Sequence, residues 1–397
     1  DGRLRPVPGI LPAVVAAARE GITRVVVPQA NTAEAELVEG VTVLGAVNLA
    51  EVARWHGARV DAIVQDPILP PETATAPPPI PDLAEVIGQR EAVDALVVAA
   101  AGGHHLLMCG PPGAGKTMLA RRLPGILPPL DEPAALTAAT IRSLAGEPVT
   151  TLTRTPPFEA PHHSASVAAL VGGGSRVVRP GAIARASEGV LFLDEAGEFP
   201  SNALDALRQP LESGAIVIHR AGATASFPAR FQLVLATNPC PCGDYGVKGG
   251  SCICPPMAIR RYLGRLSGPL LDRIDIELSL ARVAVAHALT AGGETLTTAT
   301  ARERVRQARA RSEARLAGTP WRLNAQVPGT WLRQGPLAPA PEVRRLLDAA
   351  LHRGALTLRG YDRVLRVAWS IADIAGSERL GAHDIGRALY LKKGITQ

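Results

Sequence analysis

The chain has 397 residues, of which 47% are hydrophobic, 20% charged and 3% aromatic, and it carries a formal net charge of +6. That length and apolar content exclude an intrinsically disordered chain and leave room for two or three domains, each with its own core. No run of about 18 apolar residues occurs and no charged-then-apolar leader opens the sequence, so neither a helical membrane span nor secretion is expected and the cytoplasm is the default location.

Only Lys116, Lys248, Lys392 and Lys393 interrupt an otherwise all-Arg set of 42 basic residues. Such a surplus admits a nucleic-acid partner, although Arg, Ala, Gly and Pro enrichment from coding bias explains it as well. The sequence opens at Asp1, without Met, in a Gly/Arg/Pro stretch, which points to a further piece upstream. Five Cys, four of them clustered, argue against a secreted disulfide framework and for a local metal site.

Residues 1–66 alternate helical and strand patterns: an Ala-rich helix at 11–20, a strand at 24–27, a helix from Thr32, a strand at 41–47 and a helix at 49–56. This is a small α/β unit, or half of one. Pro67, Pro70, Pro71, Pro77, Pro78, Pro79 and Pro81 make residues 67–81 a stiff extended linker. Residues 82–298 follow as short apolar runs separated by helices and Gly/Pro loops, the pattern of a mostly parallel α/β sheet with helices on both faces. From 299 to 397 the pattern turns helical, with stretches at 301–316 and 364–374, and predicts a C-terminal helical lid.

Within the α/β region, Gly110-Pro111-Pro112-Gly113-Ala114-Gly115-Lys116-Thr117 fits G-x4-GK[ST] between an apolar strand, Leu106–Cys109, and a helical stretch. In that context backbone N–H groups cradle phosphate oxygens, Lys116 reaches the β and γ phosphates, and the Thr117 hydroxyl ligates Mg²⁺. The apolar run from Val190 to Leu193 ends in Asp194-Glu195: Asp194 is the candidate Mg²⁺ acid and Glu195 the residue that polarises the attacking water. A helix cap is the alternative for such a pair. A third apolar run, 231–236, leads into Thr237-Asn238-Pro239, leaving the Asn238 amide where it could orient water near the γ phosphate.

With Asp82-Leu83-Ala84-Glu85-Val86-Ile87-Gly88-Gln89 and Leu270-Leu271-Asp272-Arg273, these motifs resemble the AAA+ ATPases. Gly103-His104-His105, Ala160-Pro161-His162-His163-Ser164, Gly172-Gly173-Gly174, Asn238-Pro239-Cys240-Pro241-Cys242-Gly243 and residues 266–275 narrow the resemblance to the magnesium-chelatase-like ComM/YifB group. The likeness covers essentially the whole chain. It implies an AAA+ P-loop NTPase core with a helical lid, preceded by an S5-like (Lon-protease-like) domain of which residues 1–66 resemble the second half. It also implies ATP and Mg²⁺ as cofactors and a ring, expected to be a hexamer, with ATP between neighbours. Under that resemblance Arg273 is the arginine finger, Arg265 a second contact and Arg359 the lid arginine called sensor 2; a solvated surface charge is the alternative for any one arginine.

Residues 214–219 read as a strand, Arg220-Ala221-Gly222 as a turn and 228–235 as the return strand. The arrangement resembles the pre-sensor hairpin of ring helicases, so Arg220 is the DNA-backbone candidate, with an ordinary surface hairpin as the alternative. His162 and His163 are further pore-facing candidates beside a structural reading. Cys240-Pro241-Cys242 and, nine residues on, Cys252-Ile253-Cys254 bring four thiols into one loop that suits Zn²⁺, with reduced free thiols as the alternative. Cys109 reads as a small core residue.

The ComM-like reading implies an ATP-driven DNA translocase or branch-migration helicase that serves recombination during natural transformation. The alternatives are a chelatase-like motor acting on a protein or on porphyrin metallation, and a chain that binds nucleotide without cycling.

Overall fold

The computed structural model describes residues 2–61, 64–69, 79–174, 178–220, 223–247, 249–282 and 295–392, with only the backbone of Arg220 and Ala223. At its start, helices Ile10–Arg19, Thr32–Ala35 and Leu49–Trp55 alternate with strands β1 (Arg24–Pro28) and β2 (Thr42–Ala46), element for element as the pattern predicts. β1 and β2 pair in parallel, and Val14, Val27 and Ala35 close a small core beneath them. Leu11, on another face of the first helix, joins Ala139 and Val149 in a separate cluster, and Gly9 N donates to Ser143 O at 3.1 Å. This unit is therefore docked on helix Glu132–Ala145. Of the Pro-rich stretch, Pro70, Pro71, Pro77 and Pro78 lie outside the described residues, whereas Pro67, Pro79 and Pro81 stand in backbone without helix or strand.

The next strands are β3 (Leu106–Cys109), β4 (Phe158–Glu159), β5 (Gly172–Gly173), β6 (Arg179–Pro180), β7 (Val190–Leu193), β8 (Ala215–Arg220), β9 (Ala223–Pro228), β10 (Gln232–Thr237) and β11 (Ile276–Ser279). Five of them form one parallel sheet in the order β11-β3-β10-β7-β4. β3, β7 and β10 are buried along their whole length, as central parallel strands covered on both faces must be. Alternation divides their side chains. Met108, Phe192 and Val234 face helix Arg90–Gly102 and the lid, while Leu107, Leu191, Leu193 and Leu235 face Ile183, Phe199 and Leu204.

The hairpin departs from expectation in its second half. β8 pairs with β9 from Ala215↔Pro228 to Arg220↔Ala223, so the return strand is 223–228 rather than 228–235. Gln232–Thr237 belongs to the central sheet, because its run of uninterrupted burial needs neighbours on both sides, which β3 and β7 provide. Ala221 and Gly222 of the expected turn lie outside the described residues. A second antiparallel pair, β5 with β6, explains one glycine of the Gly172-Gly173-Gly174 run: Gly172 has φ +105°, and a Cβ there would meet Arg179 O at 2.5 Å.

After 297 come helices Thr298–Arg315, Gly329–Gln334, Pro341–His352, Leu358–Ala375 and Ala382–Lys392. The Thr297 and Thr357 hydroxyls cap the two long ones, accepting from Thr300 N (3.2 Å) and Gly360 N (3.1 Å). Asp82 ties the first residues of the α/β region to the first lid helix, its Oδ1 accepting from Thr298 N at 3.0 Å. A buried polar cluster fastens lid to sheet: Asp275 takes Arg363 Nη1 at 2.7 Å and His105 N at 3.1 Å and lies 3.5 Å from His104 Nδ1, while His104 Nε2 meets Ser370 Oγ at 2.7 Å. Although burial opposes it, the His104 contact and the Arg363 charge hold the Asp275 carboxyl well below the usual carboxylate range. Among the described residues no helix is long and apolar enough to cross a membrane.

Candidate nucleotide site and cysteine loop

The register of the sheet decides what meets at its carboxyl edge. Cys109 lies opposite Thr237, and Leu193 opposite Leu235, so the loops leaving β3, β7 and β10 start side by side. A crevice beyond the carboxyl ends of parallel strands is where such sheets take ligands. Gly110 to Thr117, Asp194-Glu195 and Asn238 all lie here.

Lys116, largely buried, donates from Nζ to Gly110 O (2.6 Å), Pro111 O (3.0 Å) and Asn238 Oδ1 (2.9 Å). Burial pushes its ammonium below the ordinary lysine value, opposed by the charges of Asp194, Cys109 and Glu195. Thr117 Oγ1 donates to Asp194 Oδ2 at 2.5 Å, and Asp194 Oδ1 accepts from Glu195 N at 3.0 Å. Glu195 stands at φ +52°, a left-handed backbone uncommon outside glycine.

The residues fit Mg-ATP. Gly113, at φ +78°, has nothing within 4 Å of a Cβ position, whereas a Cβ on Gly110 would strike Leu280 O at 2.5 Å. The loop is thus closed on its inner side and open on its outer one. Thr117 Oγ1 and Asp194 converge as a hydroxyl and a carboxylate, the oxygen donors that Mg²⁺ takes. Gln89, from the motif before the first long helix, braces the loop by donating to Ala114 O at 2.7 Å.

The expected arginines lie elsewhere. Arg273 donates to Pro269 O and forms an ion pair with Glu212, and Arg265 donates to Gly197 O at 2.6 Å and pairs with Glu198 at 3.1 Å. Arg359 pairs with Asp272 at 3.3 Å, one residue from Arg273. Arg273 is pushed below the ordinary arginine value by burial and then by the charges of Arg208, Arg363 and Arg359. The structure therefore gathers Arg273 and Arg359 near each other, and among the described residues neither bonds to the P-loop, Asp194 or Glu195. Arg220 is seen only as the backbone end of β8.

One contact went unread in the sequence. His163 Nδ1 lies 2.8 Å from Glu195 Oε2, while His162 packs against His163 with ring centroids 4.0 Å apart and ring planes tilted by 35°, and bonds Ser164 Oγ at 2.8 Å. The strand order holds the signal: β4 neighbours β7, so the segment leaving β4 emerges beside the acid pair.

Beyond Asn238 the four cysteines converge. Cys240 Sγ is 3.3 Å from Cys242 Sγ and 3.8 Å from Cys252 Sγ, Cys242 and Cys252 are 3.6 Å apart, and all four ligand atoms lie within 4.8 Å of one another. The group can hold a metal ion. Cys109 is different: burial pushes its thiol up to about 11, as suits an inert core residue.

A parallel sheet of this order, a P-loop at its edge, paired acids one strand away and a helical lid define a P-loop nucleoside triphosphatase of the AAA+ class. Residues 82–288 match the family described as magnesium chelatase, subunit ChlI, and residues 295–392 the family described as magnesium chelatase, subunit ChlI C-terminal. The chain is 48% identical to an uncharacterized Mycobacterium tuberculosis protein over 397 residues, covering 99% of this chain and 77% of that one. It is 39% identical over 390 residues to the competence protein ComM of Haemophilus influenzae, covering 98% and 75%, and 41% identical over 380 residues to YifB of Escherichia coli, covering 95% and 72%. The chain belongs to the ComM/YifB family of magnesium-chelatase-like AAA+ ATPases. That membership implies ATP hydrolysis with Mg²⁺, in a class whose members commonly assemble into oligomers.

Proposed function

We propose that this ATPase is a cytoplasmic, hexameric DNA translocase of the branch-migration type. The observation that carries the reading is the β8–β9 arm: six residue pairs, its base closed by Ala229 N donating to Gly214 O at 2.9 Å, its distal end at Arg220, and its return strand leading within a few residues into β10. β10 ends at Thr237, directly before Asn238, so a load on the arm is transmitted to the nucleotide edge by one continuous segment. An arginine at such a tip binds phosphate without reading bases. The name of the H. influenzae relative, a competence protein, supports the same direction.

At the site, Lys116 would exchange its carbonyl and amide partners for phosphate oxygens, and Thr117 with Asp194 would hold Mg²⁺. When bound, Mg²⁺ neutralises charge on the β and γ phosphates. Glu195 accepts the proton of the water whose oxygen attacks the γ phosphorus as the bond to ADP breaks, and Asn238 orients that water. Arg273 of one subunit, released from Glu212, stabilises the charge on its neighbour's γ phosphate, with Arg359 on the same face. For the cysteine loop we assign Zn²⁺: Zn–S bonds of about 2.3 Å in a tetrahedron set sulfur pairs about 3.8 Å apart, and the three separations of 3.3, 3.6 and 3.8 Å come close to that.

The test is the ATPase rate with and without forked and single-stranded DNA, for the wild type and Arg220→Ala, at two salt concentrations. Stimulation that falls with salt and disappears in the variant is the expected result. Absence of stimulation, with basal turnover and ring assembly intact, would turn the reading to a protein-remodelling motor.

A further inference from the structure

We infer that the four-cysteine loop is a zinc-dependent strut on the P-loop, so that the grip of this chain on a nucleotide is set by the metal in that loop. The inference rests on the zinc assignment above. The loop leaves β10 directly after Asn238 and Pro239, and its first thiol, Cys240, is fully buried. Gly243 has φ +86°, and a Cβ there would come within 2.4 Å of Pro112 Cδ, so the backbone of the cysteine turn lies against the second proline of the P-loop. The next residue reaches the same proline through a cation. Asp244 Oδ1 is 3.3 Å from Arg282 Nη2, and Arg282 Nε donates to Pro112 O at 3.1 Å.

Pro112 is thus gripped on its ring by residue 243 and on its carbonyl by Arg282. What holds the gripping loop is the thiol cluster. Among the described residues 239–255 form no helix or strand, and turn hydrogen bonds such as Gly243 N to Cys240 O (3.0 Å) and Val247 N to Asp244 O (3.2 Å) give local order only. Ile253, between Cys252 and Cys254, is 86% exposed, so apolar packing does not anchor that end. A metal that joins residues 240 and 242 to 252 and 254 removes the loop's conformational freedom and fixes Gly243 and Asp244 against Pro112. Without it the two halves of the loop part, and Pro112 loses both supports. The far end continues into helix Pro256–Leu263, whose Tyr262 ring would lie 2.4 Å from a Cβ on Gly197, two residues past Glu195. The loop and the helix after it therefore run from Pro112 of the phosphate cradle to Gly197, two residues past Glu195.

The experiment measures zinc and nucleotide affinity separately. Metal content of the purified chain is read by atomic emission, and the Kd for mant-ATP with Mg²⁺ is read as purified, after stripping with a mercurial and chelator, and after return of Zn²⁺. Far-UV circular dichroism checks that the fold persists. We expect about one Zn²⁺ per chain, affinity weakened about tenfold on stripping, the scale of one charge-assisted hydrogen bond, and recovery with Zn²⁺ but not with additional Mg²⁺. Asp244→Ala, which keeps all four thiols and cuts the Arg282 link, should retain zinc and bind mant-ATP more weakly than wild type. Absence of zinc, or iron in its place, overturns the zinc assignment and the strut with it. Zinc present, with wild-type affinity in the stripped chain or in zinc-replete Asp244→Ala, overturns the strut and leaves the zinc assignment standing.

Discussion

His163 Nδ1 lies 2.8 Å from Glu195 Oε2, so the carboxylate that polarises water in the proposed mechanism is already engaged by a side chain from the loop after β4. Both groups are part exposed, at 35% and 51%, and Glu195 sits on a left-handed backbone. With Oε2 engaged by an imidazole, the carboxylate has one oxygen fewer for a water. In the proposed mechanism His163 therefore competes with the attacking water for Glu195.

Removing that competitor should raise the basal rate. A hydrogen bond of this exposure is worth about 0.5 to 1 kcal/mol, or roughly a two- to fivefold change. His163→Ala should hydrolyse ATP faster than wild type by that factor without DNA, and gain less when DNA is added. Basal turnover equal to or below that of the wild type would remove His163 from this role.

Glu195→Gln separates binding from chemistry. The amide keeps the size of the side chain but has no basic oxygen of carboxylate strength, while Lys116, Thr117 and Asp194 are untouched. Mant-ATP should bind with wild-type affinity and turnover should fall by about 10² or more. Continued hydrolysis would show that another group takes the proton.

Arg273 lies in an ion pair with Glu212 and, among the described residues, bonds to nothing in the P-loop of its own chain. If the finger acts on a neighbour, Arg273→Ala should lose about 10³ or more in turnover with nucleotide binding preserved. Mixing it with Lys116→Ala, itself inactive, should restore activity, because the first variant contributes an intact P-loop and the second an intact finger at the same interface. Two inactive variants that stay inactive when mixed, in rings shown to contain both, would place the finger within one chain.

Much of this was legible in the sequence for a physical reason. The helix and strand order of residues 10–55, the P-loop strand and the two long lid helices depend on local periodicity and caps, which neighbouring residues encode. The paired acids and Asn238 were legible because a strand end followed by a polar residue is itself a local signal. What the sequence did not reveal were contacts made by strand order. His163 and Glu195 are separated along the chain by all of β5, β6 and β7, and only the β4–β7 pairing brings them together. Gly103-His104-His105 was visible as a motif, but its work, fastening Asp275 and Ser370 across the lid boundary, depends on a helix far along the chain. The return strand of the hairpin was misplaced because 228–235 is apolar enough for either role, and only the need of β3 and β7 for a partner assigns Gln232–Thr237 to the sheet.

That lid boundary gives the stability of the chain a pH dependence. His105 Nδ1 accepts the Leu233 amide at 3.0 Å, so the folded state needs its neutral ring; a protonated imidazole has no acceptor left. Burial lowers the His105 pKa from 6.5 to about 4, against the opposing charge of Asp275. Because the folded value is the lower one, the unfolded chain binds more protons between these values. Stability from this group is present above pH 6.5 and is lost as pH falls towards 4. From pH 7 to pH 5 the loss is about 2 kcal/mol, and Asp275, held below the usual carboxylate range, stays charged throughout. Urea unfolding at the two pH values should show wild type losing about that much more than His105→Gln, which keeps an acceptor for Leu233 and has no titrating ring. The same loss in both chains would assign the acid sensitivity to other groups.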